Sequence, residues 1–183
     1  IPLGSCTMKL NSVSQLEPLS WDKITNYHPY LPNEYTQGYH ELIEKTGELL
    51  KNITGFEYVS FQSNSGAMGE YSGLLCIRQY HIKNGNKNRN ICLIPNSAHG
   101  TNFASAQISN FNVKKFDDNM FNDLEKFEEL LIKYKDNLGC IMITYPNTNG
   151  VFQTNIKEIC DLIHKYGGLV YMDGANMNAL VGI

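Results

Sequence analysis

Short apolar runs rich in β-branched and aromatic residues alternate along the chain with longer segments whose apolar residues recur at helical spacing. The strand-like runs are residues 56–62, Ile91–Pro95, 113–116, 140–145 and 169–172. The helix-like segments between them are residues 67–81, 102–109, 123–134 and 156–166. This alternation predicts right-handed βαβ crossovers and an α/β fold with a mostly parallel sheet flanked by helices.

A further helix is predicted ahead of the first of these runs. Its apolar positions are Leu42, Ile43, Leu49, Leu50 and Ile53. Gly55 follows them, and a glycine commonly ends a helix there. Residues 1–37 show no comparable pattern and include an irregular stretch with two prolines, so we predict an N-terminal arm over 1–37 and one α/β domain over 38–183.

Charge and cysteine content exclude several classes of function. The chain carries 15 basic and 18 acidic side chains, a net charge of −3, and no basic cluster longer than Lys114 and Lys115, which argues against nucleic acid or an anionic membrane as partner. No apolar run approaches the roughly 18–20 residues that span a bilayer. The five cysteines are scattered and mostly in apolar surroundings, and no CxxC or HExxH spacing occurs, so neither a disulfide framework nor a metal site is expected.

In a parallel α/β fold, ligands bind beyond the carboxyl ends of the strands, so the residues after each strand are the candidates for chemistry. Ser65, Gly66 and Ala67 follow the first predicted strand and lead into a helix. The N–H groups and the dipole at such a helix start favour an anion such as phosphate. A plain N-cap at Ser65 accounts for the same residues about equally well.

Three more polar side chains follow later strands. His99 lies next to a glycine and is placed to stack on a planar ligand or move a proton, or else is an ordinary loop histidine. Thr144 lies near a strand end, ahead of a strong turn signal at 146–150. Asp173 ends an apolar strand, where it is either an N-cap for 176–181 or the partner of a cationic ring nitrogen. Together with the phosphate cradle these residues form a complete non-covalent shell for pyridoxal phosphate.

The motifs around these residues resemble those of one family. The stretches are residues 1–11 (IPLGSCTMKLN), 64–71 (NSGAMGEY), 97–102 (SAHGTN) and 171–179 (YMDGANMNA). They are similar to the glycine decarboxylase of the glycine cleavage system, that is, the P-protein or glycine dehydrogenase (decarboxylating), and the similarity runs over all 183 residues.

The resemblance implies part of the large domain of a fold-type I pyridoxal-phosphate enzyme. It implies that glycine is decarboxylated on pyridoxal phosphate and that the aminomethyl group passes to the lipoyl arm of the H-protein carrier. Ser65, Gly66 and Ala67 would hold the phosphate, and His99 would stack on the ring and take a catalytic role. The other positions implied are Thr144 near the ring hydroxyl, Asp173 at the ring nitrogen and Ala175 on the opposite face. A dimeric parent is also implied, in the mitochondrial matrix of a eukaryote or the cytoplasm of a bacterium.

The chain departs from the family pattern in several ways. Enzymes of this kind anchor the cofactor through a Schiff-base lysine some tens of residues after the aspartate, whereas the last lysine here is Lys165. We therefore expect a truncated piece of a longer P-protein that is inactive alone. Residues 4–9 are expected near the substrate or in a packing loop. The side chains that differ from the family's usual ones are Ser63, Met68, Phe103 and Asn149.

Two alternatives remain open at the level of sequence. One is another fold-type I pyridoxal-phosphate enzyme of hydroxymethyltransferase, aminotransferase or desulfurase type. The other is a non-catalytic scaffold that kept the cofactor shell and lost the lysine.

Overall fold

The protein is described by a computed structural model that covers residues 12–177 and residue 180. The chain divides into two compact units, one formed by the residues up to Gln62 and one by Ser63–Leu180. Within the described residues, no helix is long and apolar enough to cross a bilayer.

The first unit is helical. Its helices are α1 (Val13–Leu16), α2 (Asp22–Thr25) and α3 (Gln37–Thr54), with 3₁₀ turns at Glu17–Ser20 and Asn33–Tyr35. The predicted helix with a glycine at its end is confirmed in α3. Gly55 ends it in the left-handed conformation, with a φ of 75°, and its N–H donates to the Lys51 carbonyl. This conformation strains any residue with a Cβ, which explains why glycine stands there.

The strand predicted at 56–62 is wrong. These residues are irregular, and the N–H groups of Phe56 and Gln62 donate to the nearby hydroxyls of Thr54 and Ser60 rather than to a neighbouring strand. Tyr58 is 86% exposed. The segment has the composition of a strand, but a strand also needs a paired backbone beside it, and the described residues provide none.

The second unit is a parallel α/β structure. Its elements are α4 (Gly66–Lys83), β1 (Ile91–Pro95), α5 (Gly100–Ile108), β2 (Asn112–Phe116), α6 (Leu124–Tyr134), β3 (Leu138–Thr144), α7 (Ile156–Lys165) and β4 (Leu169–Asp173), with a 3₁₀ turn at Asp118–Asn122. The strands pair in the order β2-β1-β3-β4, and all three pairings are parallel. The predicted fold class is confirmed, and the four strands predicted within this unit are all present.

Both faces of the sheet are covered by helices, as the predicted crossovers require. On one face Leu93, Ile141 and Ile143 pack with Phe127 of α6 and Ile159 of α7. On the other face the apolar cluster contains Leu74 of α4, Ala106 of α5 and the strand residues Cys92, Ile94, Cys140 and Met142. The two central strands are therefore buried on both sides, which explains their continuous apolar sequences.

The direction of α4 is fixed at its two ends. Near its end, His81 Nε2 is hydrogen bonded to the carbonyl of Gly139 at the start of β3, at 2.8 Å. Near its beginning, Glu70 accepts a hydrogen bond from Ser105 of α5 at 2.7 Å. The first turn of α4 and the carboxyl ends of the strands therefore lie on the same side of the unit.

Candidate active site at the carboxyl ends of the strands

Several hydrogen bonds hold the Asp173 carboxylate at the carboxyl edge of the sheet. It ends β4 and pairs in register with Thr144, the last residue of β3. Its Oδ2 accepts from Asn102 Nδ2 at 3.1 Å and from the Thr144 hydroxyl at 3.4 Å, while its Oδ1 accepts from the Ala175 N–H at 3.0 Å. Three donors from three different segments therefore fix the plane of this carboxylate.

Asn102 is the functional candidate that the sequence analysis did not assign. It lies in the third position of α5, is 0% exposed, and reaches Asp173 across 71 positions of sequence. Its Oδ1 is buried and has no hydrogen-bond partner within the described residues. The only sequence signal was its place at the end of the motif 97–102.

A second carboxylate, Glu70, is buried and interacts electrostatically with Asp173. Glu70 is 9% exposed, and its Oε2 accepts from the Ser105 hydroxyl at 2.7 Å. Burial is the main cause that raises the pKa of Glu70; the Ser105 hydrogen bond opposes the rise and the charge of Asp173 adds to it. Burial, with the charges of Glu70 and Asp173, also raises the pKa of Tyr171 to about 12, so this phenol stays protonated at neutral pH.

His99 is the N-cap of α5, so the helix starts two residues earlier than predicted. Its Nδ1 accepts from the Thr101 N–H at 3.1 Å and lies 2.8 Å from the Thr101 hydroxyl. Because Nδ1 is an acceptor, the proton of the neutral ring is on Nε2. The side chain is exposed, so an edge of the ring is accessible to a ligand.

The loop that carries His99 is held from the other side by Ser97. The Ser97 N–H donates to Asp118 Oδ2 at 3.0 Å, and its hydroxyl donates to Asp118 Oδ1. The Thr148 hydroxyl donates to the Ser97 carbonyl. Contacts from two other loops thus fix the start of the 97–102 motif.

Ser65, Gly66 and Ala67 form the start of α4. The Ser65 hydroxyl accepts from the Met68 N–H at 3.3 Å, so the predicted N-cap is confirmed. The first N–H groups of a helix have no carbonyl partner within it, and all three residues are exposed. A Cβ added to Gly66 would meet no atom within 4 Å, so the helix start faces open space.

The loop after β3 forms the predicted turn. The peptide bond between Tyr145 and Pro146 is cis, and Asn147 Oδ1 accepts from the N–H groups of Asn149 and Val151 at 3.0 and 2.9 Å. Asn176 Nδ2 donates to the Pro146 carbonyl at 3.0 Å. The loops after β3 and β4 are therefore joined next to Asp173.

The structure brings Thr144, Asp173 and Ala175 into direct contact, and it places His99 and residues 65–67 at the beginnings of helices on the same side of the unit. Residues 4–9 lie outside the described residues, as do residues 178, 179 and 181 of the helix predicted at 176–181. The part of the chain that is described contains no cluster of three or more potential metal ligands.

Comparison with known proteins shows what the chain is similar to. No family model matches the chain. The chain is, over its whole length, 52% identical to the glycine dehydrogenase (decarboxylating) of Rhizobium meliloti (strain 1021), of which it covers 19%. It is equally 52% identical to the mitochondrial glycine dehydrogenase (decarboxylating) of Gallus gallus, covering 18% of it, and 50% identical to that of Photobacterium profundum, covering 19%.

These identities confirm the resemblance that the motifs indicated. The chain spans about one fifth of the length of these relatives, and the alignments cover all of this chain. Over its whole length the chain is therefore similar to one segment of the glycine dehydrogenases (decarboxylating).

Proposed function

We propose that this chain supplies the non-covalent part of a pyridoxal-phosphate site in an enzyme that decarboxylates glycine. The observation that carries the proposal is Asp173, a carboxylate held by three donors at the carboxyl edge of a parallel sheet. The names of the relatives support the reaction, since they are glycine dehydrogenases (decarboxylating). Because the chain spans a fifth of their length, the activity is proposed for the complete natural polypeptide that carries these residues.

The start of α4 fits the phosphate of this cofactor. Gly66 and Ala67 offer backbone N–H groups, Ser65 adds a hydroxyl, and the helix dipole adds a positive potential. The open space beside Gly66 admits a group of this size. Residues 65–67 are therefore proposed to bind the phosphate.

Asp173 fits the ring nitrogen. A carboxylate whose lone pairs are directed by fixed donors is a suitable partner for a protonated pyridine nitrogen, which it keeps charged. When bound, the protonated ring delocalises the electron pair left behind as carbon dioxide departs. Thr144 and Ala175 serve this role by holding Asp173, and Thr144 is additionally proposed to lie near the ring hydroxyl.

His99 fits the face of the ring. Thr101 fixes the orientation of the imidazole through Nδ1, so the plane of the ring is fixed at the start of α5. Its Nε2–H remains available as a donor, and we assign to it the positioning or movement of a proton on this side of the site.

For the complete enzyme we propose that glycine is the substrate and that its aminomethyl group is transferred to the lipoyl arm of the H-protein carrier. We propose that the active form is a dimer. We also propose that the lysine that anchors the cofactor covalently belongs to another part of the complete polypeptide and that residues 1–183 alone are inactive. The proposed compartment is the mitochondrial matrix in a eukaryote and the cytoplasm in a bacterium.

The test uses the complete natural polypeptide. It is stripped of cofactor, titrated with pyridoxal phosphate and assayed for exchange of labelled bicarbonate into the carboxyl group of glycine, with lipoylated carrier protein present. Saturable binding and exchange with glycine are expected. Exchange with serine or alanine but not glycine would indicate another pyridoxal-phosphate enzyme. If no cofactor bound, the non-catalytic scaffold would be the remaining hypothesis.

A further inference from the structure

We propose that Asn102 is a positioning residue for Asp173 and holds its carboxylate in the orientation that the cofactor's ring nitrogen requires. This inference rests on the proposed function. Asn102 touches neither substrate nor cofactor in this account, and it acts only through the hydrogen bond from Nδ2 to Asp173 Oδ2.

Asn102 is the nearer of the two side-chain donors to Asp173. Its Nδ2 lies 3.1 Å from Oδ2, whereas the Thr144 hydroxyl lies 3.4 Å from the same oxygen. Thr144 comes from the strand next to Asp173 and Asn102 from a helix on the face of the sheet. The carboxylate is thus held from two directions, and a rotation about its last bond would break the Asn102 contact.

The burial of Asn102 shows that packing stability does not explain it. The residue is 0% exposed, and its Oδ1 is buried with no partner within the described part of the chain. An unsatisfied buried acceptor destabilises a fold, and a leucine of similar size would fill the same space without it. The buried Oδ1 therefore has a cost in stability, and the part of the side chain that the structure uses is the Nδ2 donor to Asp173.

The neighbouring polar residues have other partners. Ser105, one turn further along α5, donates to Glu70. Ser109 is also 0% exposed, and its hydroxyl donates to the Ser105 carbonyl at 2.8 Å. Helix α5 thus presents one donor to each carboxylate, and Asn102 is the one that faces Asp173. Ser109 offers a matched control, because it is a buried polar side chain at the end of the same helix that does not contact Asp173.

The experiment measures the binding of pyridoxal phosphate to the cofactor-free complete polypeptide by absorbance. Asn102→Leu is expected to weaken binding by about tenfold, the usual effect of losing one hydrogen bond to a charged group. Asn102→Asp, which keeps the size and loses the donor, is expected to weaken binding at least as much. Ser109→Ala is expected to lower the melting temperature and leave binding unchanged.

A double-variant comparison shows whether Asn102 acts through Asp173. In the Asp173→Asn background, the additional change Asn102→Leu is expected to cause no further loss of affinity. The pH dependence of the bound cofactor's absorbance is expected to shift in the same direction in Asn102→Leu and Asp173→Asn. A purely structural role would move the melting temperature and not this profile.

Each other outcome has a definite meaning. If Asp173→Asn weakens binding but Asn102→Leu and Asn102→Asp do not, or if the losses in the double variant add, the inference about Asn102 is wrong and the proposed function stands. If the unaltered polypeptide binds no pyridoxal phosphate, the proposed function fails and the inference fails with it. Should Asn102→Leu not fold, as judged by circular dichroism, Asn102→Asp decides alone.

Discussion

The ring of Tyr171 on β4 fills the space beside Gly73 of α4, so closely that a Cβ on Gly73 would lie 2.6 Å from Tyr171 Cε2. The contact joins the helix that begins at Ser65 to the strand that ends at Asp173. An alanine at position 73 must displace the ring or the helix. We expect Gly73→Ala to lower the free energy of unfolding by about 1–3 kcal/mol, measured by urea denaturation, despite alanine's higher helix propensity.

Gly69, in the same helix, is the matched control. A Cβ at Gly69 would meet no atom within 4 Å, so Gly69→Ala gains helix propensity without a clash. It is expected to raise the free energy of unfolding by about 0.5–1 kcal/mol. Equal effects of the two substitutions would show that the Tyr171 contact does not constrain α4.

Glu70 is expected to reduce stability at neutral pH. Its pKa is raised above the ordinary value of 4.5, mainly by burial, so the folded state holds this proton more tightly than the unfolded state. The stabilising effect of that proton is complete below pH 4.5 and is lost as the pH rises through the folded-state pKa. Glu70→Gln keeps an acceptor for Ser105 and has no charge, and it should be more stable than the natural protein at pH 7.

The prediction for Glu70 is tested by measuring the free energy of unfolding of the natural protein and of Glu70→Gln as a function of pH. The advantage of Glu70→Gln should shrink as the pH falls toward 4.5. Glu158→Gln, at an exposed position in the first turn of α7, should show no such advantage. A constant difference between natural protein and Glu70→Gln at all pH values would contradict the assignment.

His81 is expected to make the fold sensitive to mild acid, with the opposite sign. Burial is the main cause that lowers the pKa of His81 below 6.5, and the charges of Arg89 and Arg78 add to it against the hydrogen bond to Gly139. The folded state therefore holds the proton less tightly than the unfolded state, and the free energy of unfolding falls as the pH drops below 6.5. His81→Gln should reduce this fall, by about 1.4 kcal/mol per pKa unit of the shift.

The control for His81 is His164→Gln, at an exposed histidine of α7. Its unfolding free energy should follow that of the natural protein between pH 7 and about 5. If both histidine variants gave the same pH profile as the natural protein, the buried His81 would not be the source of the acid sensitivity.

The sequence indicated the strands well wherever neighbouring strands lie within the same unit. The sequence predicts β1 from Ile91 to Pro95, as the structure has it, because a short apolar run between a polar loop and a turn is typical of a buried strand. Residues 56–62 carry a similar composition and form no strand, since pairing depends on a partner that composition does not reveal. The bounds of helices shifted by one or two residues where caps such as His99 decide them.

The candidate site was predictable only in part. The sequence singles out Asp173 and Thr144 because each lies at the end of an apolar strand, and Ser65 because a cap before a helix has a sequence signature. The contact between Asn102 and Asp173 joins residues 71 positions apart. An asparagine near a helix start is common, so nothing in the sequence distinguished a buried donor from an exposed one.

The proposal that these residues belong to an enzyme that decarboxylates glycine is tested by the exchange of labelled bicarbonate into the carboxyl group of glycine, catalysed by the complete polypeptide. The natural protein should show exchange that depends on added pyridoxal phosphate, and Asp173→Asn should lose at least about a hundredfold, as expected when a charge opposite the reacting system is removed. Asp123→Asn, which changes the partly exposed N-cap of α6, should retain it. Undiminished exchange by Asp173→Asn would contradict the account.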